Sequence, residues 1–184
     1  MKNRSLLIPD PLGVDHQTEI EVENVTCDKI PQPYRNLLVH DTRMTSTLES
    51  AFDEEMTLNV LSSKQISEDR YIRQVLLMGK SSGLPREYAA IEIFLSRFPP
   101  EPTEIILNGV VPFGTILTQF NIPHLSKPDR FFRFQATEQM VEQLKLQTAE
   151  VLLYGRQNTL MTPDEEPLAE VIEFLPIIEK MESY

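Results

Sequence analysis

The sequence predicts an α+β fold built on an antiparallel sheet of about six strands, with short flanking helices and an internal ligand pocket. Three observations lead there. Short runs of alternating apolar and polar residues recur, bounded by Gly, Pro and Ser, as antiparallel strands require. Helical periodicity is confined to brief stretches that do not alternate strand by strand with these runs, which excludes a regular βαβ chain. The chain has 184 residues, 41% of them hydrophobic, enough for one sizeable core.

Composition narrows the function classes. A net charge of −11 argues against nucleic acid, which needs clustered Lys and Arg. Small anionic ligands remain open, because one or two well-placed arginines outweigh distant surface charge. The single cysteine, Cys27, precludes an intrachain disulfide and fits a reducing compartment. No apolar run approaches the roughly 18 residues of a membrane span, and the opening apolar patch is too short for a signal peptide. The expectation is a cytoplasmic protein, and the absence of an apolar seam implies a monomer. His16, His40 and His124 show no metal-ligand spacing, and no dinucleotide or hydrolase fingerprint occurs, so neither metal nor cofactor is expected.

In chain order, residues 1–33 read as a proline-bracketed N-terminal arm, in which Glu19 to Glu23 is an edge strand or solvated coil. Residues 34–184 form the main domain. There Leu37 to Val39 leads into a helix with Ser46 and Glu49 as a capping box and Thr45 as a rival cap. Met44, Leu48, Ala51 and Phe52 share its face, and Met44 stands just before the cap, where backbone N–H groups point. Met56 to Ser62 and Arg70 to Met78 read as strands. The loop Gly79 to Gly83 turns the second into a long strand, Leu84 to Pro100. One face of that strand, Ala89, Ile91, Ile93 and Leu95, is a plain core stripe. The other, with Arg86, Tyr88, Ala90, Glu92 and Phe94, is mixed and is the candidate pocket wall.

Ile105 to Leu107 is a brief apolar run. Pro112 then opens a short helix with Phe113, Ile116, Leu117 and Phe120 on one face, where Gly114 suggests a close neighbour or ligand. Pro123 to Asp129 reads as a polar loop. Thr137 caps another short helix. Glu150 to Arg156 and Leu168 to Leu175 are the closing strands, the last stopped by Pro176. Arg86 and Arg156 on separate strands could grip a dicarboxylate by bidentate forks. A last-strand glutamate beside an apolar wall could act as acid or base. Taken singly, such residues are more often surface charges or structural ion pairs.

The order of short motifs adds to this: Leu37-Leu38, Asp41 to Glu49, Arg86-Glu87, Pro112-Phe113-Gly114, Tyr154-Gly155-Arg156 and Glu173-Phe174-Leu175-Pro176. Over roughly Tyr34 to Pro176 the chain resembles the chorismate pyruvate-lyase family, most closely its cyanobacterial and plastid form. The resemblance implies a six-stranded antiparallel sheet with a closed pocket. It also implies cleavage of chorismate to 4-hydroxybenzoate and pyruvate for quinone synthesis, without metal or cofactor, in the cytoplasm or plastid stroma. Carried over by motif, Arg86 becomes the carboxylate anchor and Met44 lines the ring site. Phe113 and Gly114 offer backbone to the ligand, and Arg156 is a recurrent strand arginine. The family's last strand places its acid where this chain has Ile172. Here the acids are Glu170 and Glu173, and Glu173, with Arg86, is the catalytic candidate. The alternative is a diverged, non-catalytic relative that binds an aromatic carboxylate or a protein partner; an unrelated α+β binding domain is the third reading.

Overall fold

The structure, a computed structural model, describes residues 4–9 and 17–176. His16 and the ends of the 1–33 and 34–184 stretches lie outside the described residues. The strands are β1 (Arg4–Pro9), β2 (Gln17–Val25), β3 (Met56–Gln65), β4 (Arg70–Gly79), β5 (Pro85–Phe94), β6 (Leu125–Gln135), β7 (Leu152–Met161) and β8 (Pro167–Leu175). The helices are α1 (Tyr34–Leu38), α2 (Met44–Phe52), α3 (Pro100–Asn108), α4 (Phe113–Gln119) and α5 (Glu138–Gln143).

All eight strands form one antiparallel sheet in the order β1-β2-β6-β7-β8-β5-β4-β3. Two meanders, β3-β4-β5 and β6-β7-β8, are joined at their inner strands β5 and β8. These two are therefore flanked on both sides, and the fold class is the expected one, with the six main-domain strands extended by β1 and β2. The Glu19 to Glu23 stretch is neither coil nor edge: β2 runs between β1 and β6, with Ile20 and Val22 buried.

Two local expectations are corrected and one apolar run finds its element. Strand β6 occupies part of the stretch read as a polar loop, because Pro128, which cannot donate to a ladder, is accommodated at a register shift between Pro128 and Arg130. The Ile105 to Leu107 run lies inside α3, which Pro100 opens and Gly109 closes with a left-handed φ of 74°. Helix α2 begins at Met44 rather than after it. Ser46 and Thr47 donate to the Arg43 carbonyl at 3.0 Å each instead of capping amides, so no capping box forms.

Period-two alternation gives each strand a front and a back. The back carries Leu76, Tyr88, Ala90, Phe132, Phe134, Leu153 and Phe174, buried under α5 and the segment after it. Tyr88 stacks on Phe174 at 4.7 Å, and Phe134 meets Phe174 edge-on at 5.1 Å. The front is covered by α1 to α4. Gly155 marks a close contact between strands: a Cβ there would stand 2.5 Å from the Glu173 carbonyl oxygen and 2.6 Å from Phe132 Cζ. Gly155→Ala must therefore push β7 from β8 or displace a fully buried ring. A loss of about 2–3 kcal/mol is expected, read as a lower urea midpoint at constant slope.

Candidate functional site

The front face, beneath α2 and α4, holds a cavity of about 150 Å³. Its floor is three cross-strand rows. Arg73, Ile91, Val171 and Asn158 form one; Val75, Ala89, Glu173 and Arg156 the next; Leu77 and Glu87 the third. Charged groups thus stand at opposite ends, with Val75, Ala89, Ile91 and Val171 between them. The wall is the face of β5 that reads as plain core. Its mixed face packs Tyr88 and Ala90 into the back of the sheet. The expectation is corrected because Glu87, which decides the matter, precedes the Ala89-Ile91-Ile93 stripe and shares its face.

At one end, Arg156 is 1% exposed. Its Nε donates to Glu173, while Nη1 donates to the carbonyls of Leu38 at 2.8 Å and His40 at 2.9 Å. The buried charge is thus matched by a carboxylate, and the chain leading to α2 is tied down. Glu87 stands beside this pair and hydrogen-bonds to Glu173. Burial pushes the Glu87 carboxyl well above the usual range, and the Glu173 charge and hydrogen bond push it further against the opposing pull of Arg156. The protonated form of Glu87 is therefore favoured. His40, outside the pair, is held below its ordinary value by burial and then by Arg156. Neutral, its Nε2–H donates to the Leu37 carbonyl at 2.8 Å and its Nδ1 accepts from Thr42 Oγ1 at 3.0 Å.

At the other end stands Arg73, 2% exposed. Its Nη1 donates to the carbonyls of Gly109 at 3.1 Å and Val111 at 2.9 Å, and its Nε has no partner. No carboxylate among the described residues pairs with it. Burial lowers its basicity, opposed by Tyr71 alone, yet a guanidinium stays charged at any working pH. With Glu87 protonated and Arg156 balanced by Glu173, the buried lining carries one surplus positive charge, on Arg73. Sequence reading missed Arg73 and Glu87 as site residues. The available signal was phase: each lies an even number of residues from apolar positions of its strand's core-facing stripe.

Of the expected residues, Met44, Phe113, Gly114, Arg156 and Glu173 come together around this cavity. Met44 and Phe113 are buried in its roof. A Cβ on Gly114 would stand 3.5 Å from Arg43 Cδ, an ordinary contact, so space does not demand glycine there. Arg43 reaches from the mouth to Thr118 Oγ1 at 3.1 Å, linking the start of α2 to α4.

Arg86 is not among them. It lies outside the lining, where Nε and Nη2 donate to Glu54 Oε1 at 3.1 and 2.8 Å and the guanidinium lies 3.9 Å from the Phe52 ring centre. Glu54 also accepts the Ser81 and Ser82 N–H groups, at 3.2 and 3.1 Å. This clamp fastens the end of α2 to the β4–β5 turn. Arg86→Ala is expected to cost about 1–2 kcal/mol and to leave the cavity unaltered. Burial pushes the Glu54 carboxyl up, but the bonds from Arg86 and Ser82 outweigh it and hold the group below its ordinary value. The clamp's contribution is thus complete above about pH 4.3, the ordinary glutamate value, and is lost as pH falls through the depressed one. Urea midpoints of wild type and Arg86→Ala should converge in acid.

Several solved bacterial structures share this fold. PhnF from Mycobacterium smegmatis matches with a TM-score of 0.58 at 7% identity, over 75% of this chain and 65% of that one. Its effector domain matches with a TM-score of 0.58 at 7% identity, over 78% of this chain and 98% of that domain. The possible regulator YydK from Bacillus subtilis matches at 0.54 and 12% identity, over 79% and 68%. This chain thus spans under two thirds of the PhnF chain. No protein-family model matches it, and no curated protein does. At such identities the likeness shows the fold alone. The reading as an enzyme, a chorismate lyase of cyanobacterial or plastid type serving quinone synthesis, is overturned: structures of this fold are named as regulators, a putative one from Escherichia coli and the possible regulator YydK, rather than as lyases. In the structure Arg86 lies outside the cavity and Glu173 is bound to Arg156. No described helix is long and apolar enough to cross a membrane.

Proposed function

We propose that this chain is a non-catalytic ligand-binding domain whose cavity takes a small carboxylate with an apolar, ring-sized body. The observation that carries this reading is Arg73 on the cavity lining, a buried guanidinium with an unpartnered Nε and no counter-charge among the described residues. A charge held out of water without a partner is costly, and an anion that completes it binds with that cost relieved. Val75, Ala89, Ile91 and Val171 below, with Met44, Phe113 and Leu117 above, supply the apolar slot for the body. A cavity of about 150 Å³ is the size that holds one benzene ring. The resemblance in fold to the PhnF effector domain supports a binding role over a catalytic one.

Calorimetric titration with 4-methylphenylacetate and its uncharged amide tests the reading. The carboxylate should bind, and the amide should bind at least about tenfold more weakly, since only the carboxylate neutralises Arg73. Equal affinities, or no binding of either, would overturn it.

A further inference from the structure

The end of the cavity opposite Arg73 holds more acid than a simple carboxylate ligand needs. Glu87 and Glu173, 3% and 5% exposed, face each other with one guanidinium beside them. That guanidinium, Arg156, is committed to Glu173 and to the Leu38 and His40 carbonyls. The remaining charged or titratable cavity groups are Arg73, Asp41, Arg43 and His124. None of the cations among them is bonded to Glu87: Arg73 is level with Ile91, four residues along β5, Arg43 bonds Thr118, and His124 bonds the Ile122 carbonyl. Two carboxyls so arranged can both ionise only if a further positive charge enters.

Building on the carboxylate-pocket reading, we propose that the ligand is an amino-carboxylate: its carboxylate meets Arg73, its apolar body lies on the floor rows, and its ammonium docks between Glu87 and Glu173. The ammonium takes the place of the proton on Glu87, which leaves to solvent. Arg73, Arg156, the two glutamates and the zwitterion then sum to zero charge in a buried space. Glu87 and the Arg73 row are about 13 Å apart along β5 at strand rise, and a charge-assisted contact at each end leaves roughly 8 Å between the ligand's charged groups. One para-substituted ring with a single carbon on each side meets this spacing.

The test compares 4-(aminomethyl)phenylacetate, 4-(hydroxymethyl)phenylacetate and 4-methylphenylacetate by calorimetry near pH 7, in two buffers of different ionisation enthalpy. The ammonium probe should bind at least about tenfold tighter than the methyl probe and release close to one proton, while the methyl probe releases none. In Glu87→Gln, a near-isosteric change checked by its melting transition, the affinity ratio should fall to within about twofold and the proton release should vanish. If the hydroxymethyl or methyl probe binds as tightly as the ammonium probe, or if no proton leaves, the amino-carboxylate assignment is overturned and the carboxylate pocket stands. If none of the three binds, both fall together.

Discussion

Arg73→Met is expected to abolish carboxylate binding, with a loss of at least about 100-fold in affinity, while the protein remains folded. The size follows from where the charge sits. A guanidinium on the surface is screened by water and contributes little to a ligand. Arg73 is 2% exposed, lacks a carboxylate and has an unpartnered Nε, so its field reaches the cavity nearly undiminished. Two effects on stability oppose each other. Removing an unpaired buried charge relieves its desolvation, whereas losing Nη1 leaves the Gly109 and Val111 carbonyls without that donor. The net change should stay within about 1–2 kcal/mol of zero. Arg73→Lys keeps the charge but not the fork, so it should hold part of the affinity. Calorimetry with 4-methylphenylacetate and urea unfolding separate the two quantities. Undiminished binding by Arg73→Met would show that the anion sits elsewhere.

The fold was largely legible because alternation and turn chemistry are local. Strands β3, β4, β5, β7 and β8 all follow from runs of period two, and α4 follows from Pro112 and its apolar face. Strand β6 was hidden because Pro128 interrupts its run and is accommodated only beside a bulge in β6 itself, where Asp129 is left over against β7. The site was legible in parts. Met44, Phe113, Gly114, Arg156 and Glu173 converge on one cavity, whereas Arg86 lies outside it. Arg86 and Glu87 are adjacent at a register shift of β5 against β4, so which of them lines a cavity depends on that shift and on what covers each face. Alternation reports faces, not coverings. Arg73 was overlooked for a related reason: it interrupts a stripe of Tyr71, Val75 and Leu77, and a charge there reads as an exception until its surroundings are seen.

The larger effect on stability is expected at Arg156, and its size should be unequal for the two members of its ion pair. Arg156→Met removes the cation that, among the described residues, stands beside two buried carboxyls, and strips the Leu38 and His40 carbonyls of their donor. A cost of about 3–5 kcal/mol follows, a large share of a domain's stability. The same Nη1 bonds hold the segment that leads into Asp41, Thr42 and Arg43 at the cavity mouth, so whatever binding survives should weaken with it. Glu173→Gln has a way out that Arg156→Met lacks. Once the Glu173 charge is gone, the repulsion that helps keep Glu87 protonated disappears, and the field of Arg156, which already pulls the other way, favours ionised Glu87. Glu87 then takes over as counter-ion, and the cost should be only about 1–2 kcal/mol. The combination Glu87→Gln with Glu173→Gln closes that route and should cost more than the sum of the single changes. Urea unfolding of the four variants measures all of this. Equal costs for Arg156→Met and Glu173→Gln, or strict additivity in the double variant, would mean that Glu87 does not share the charge of Arg156.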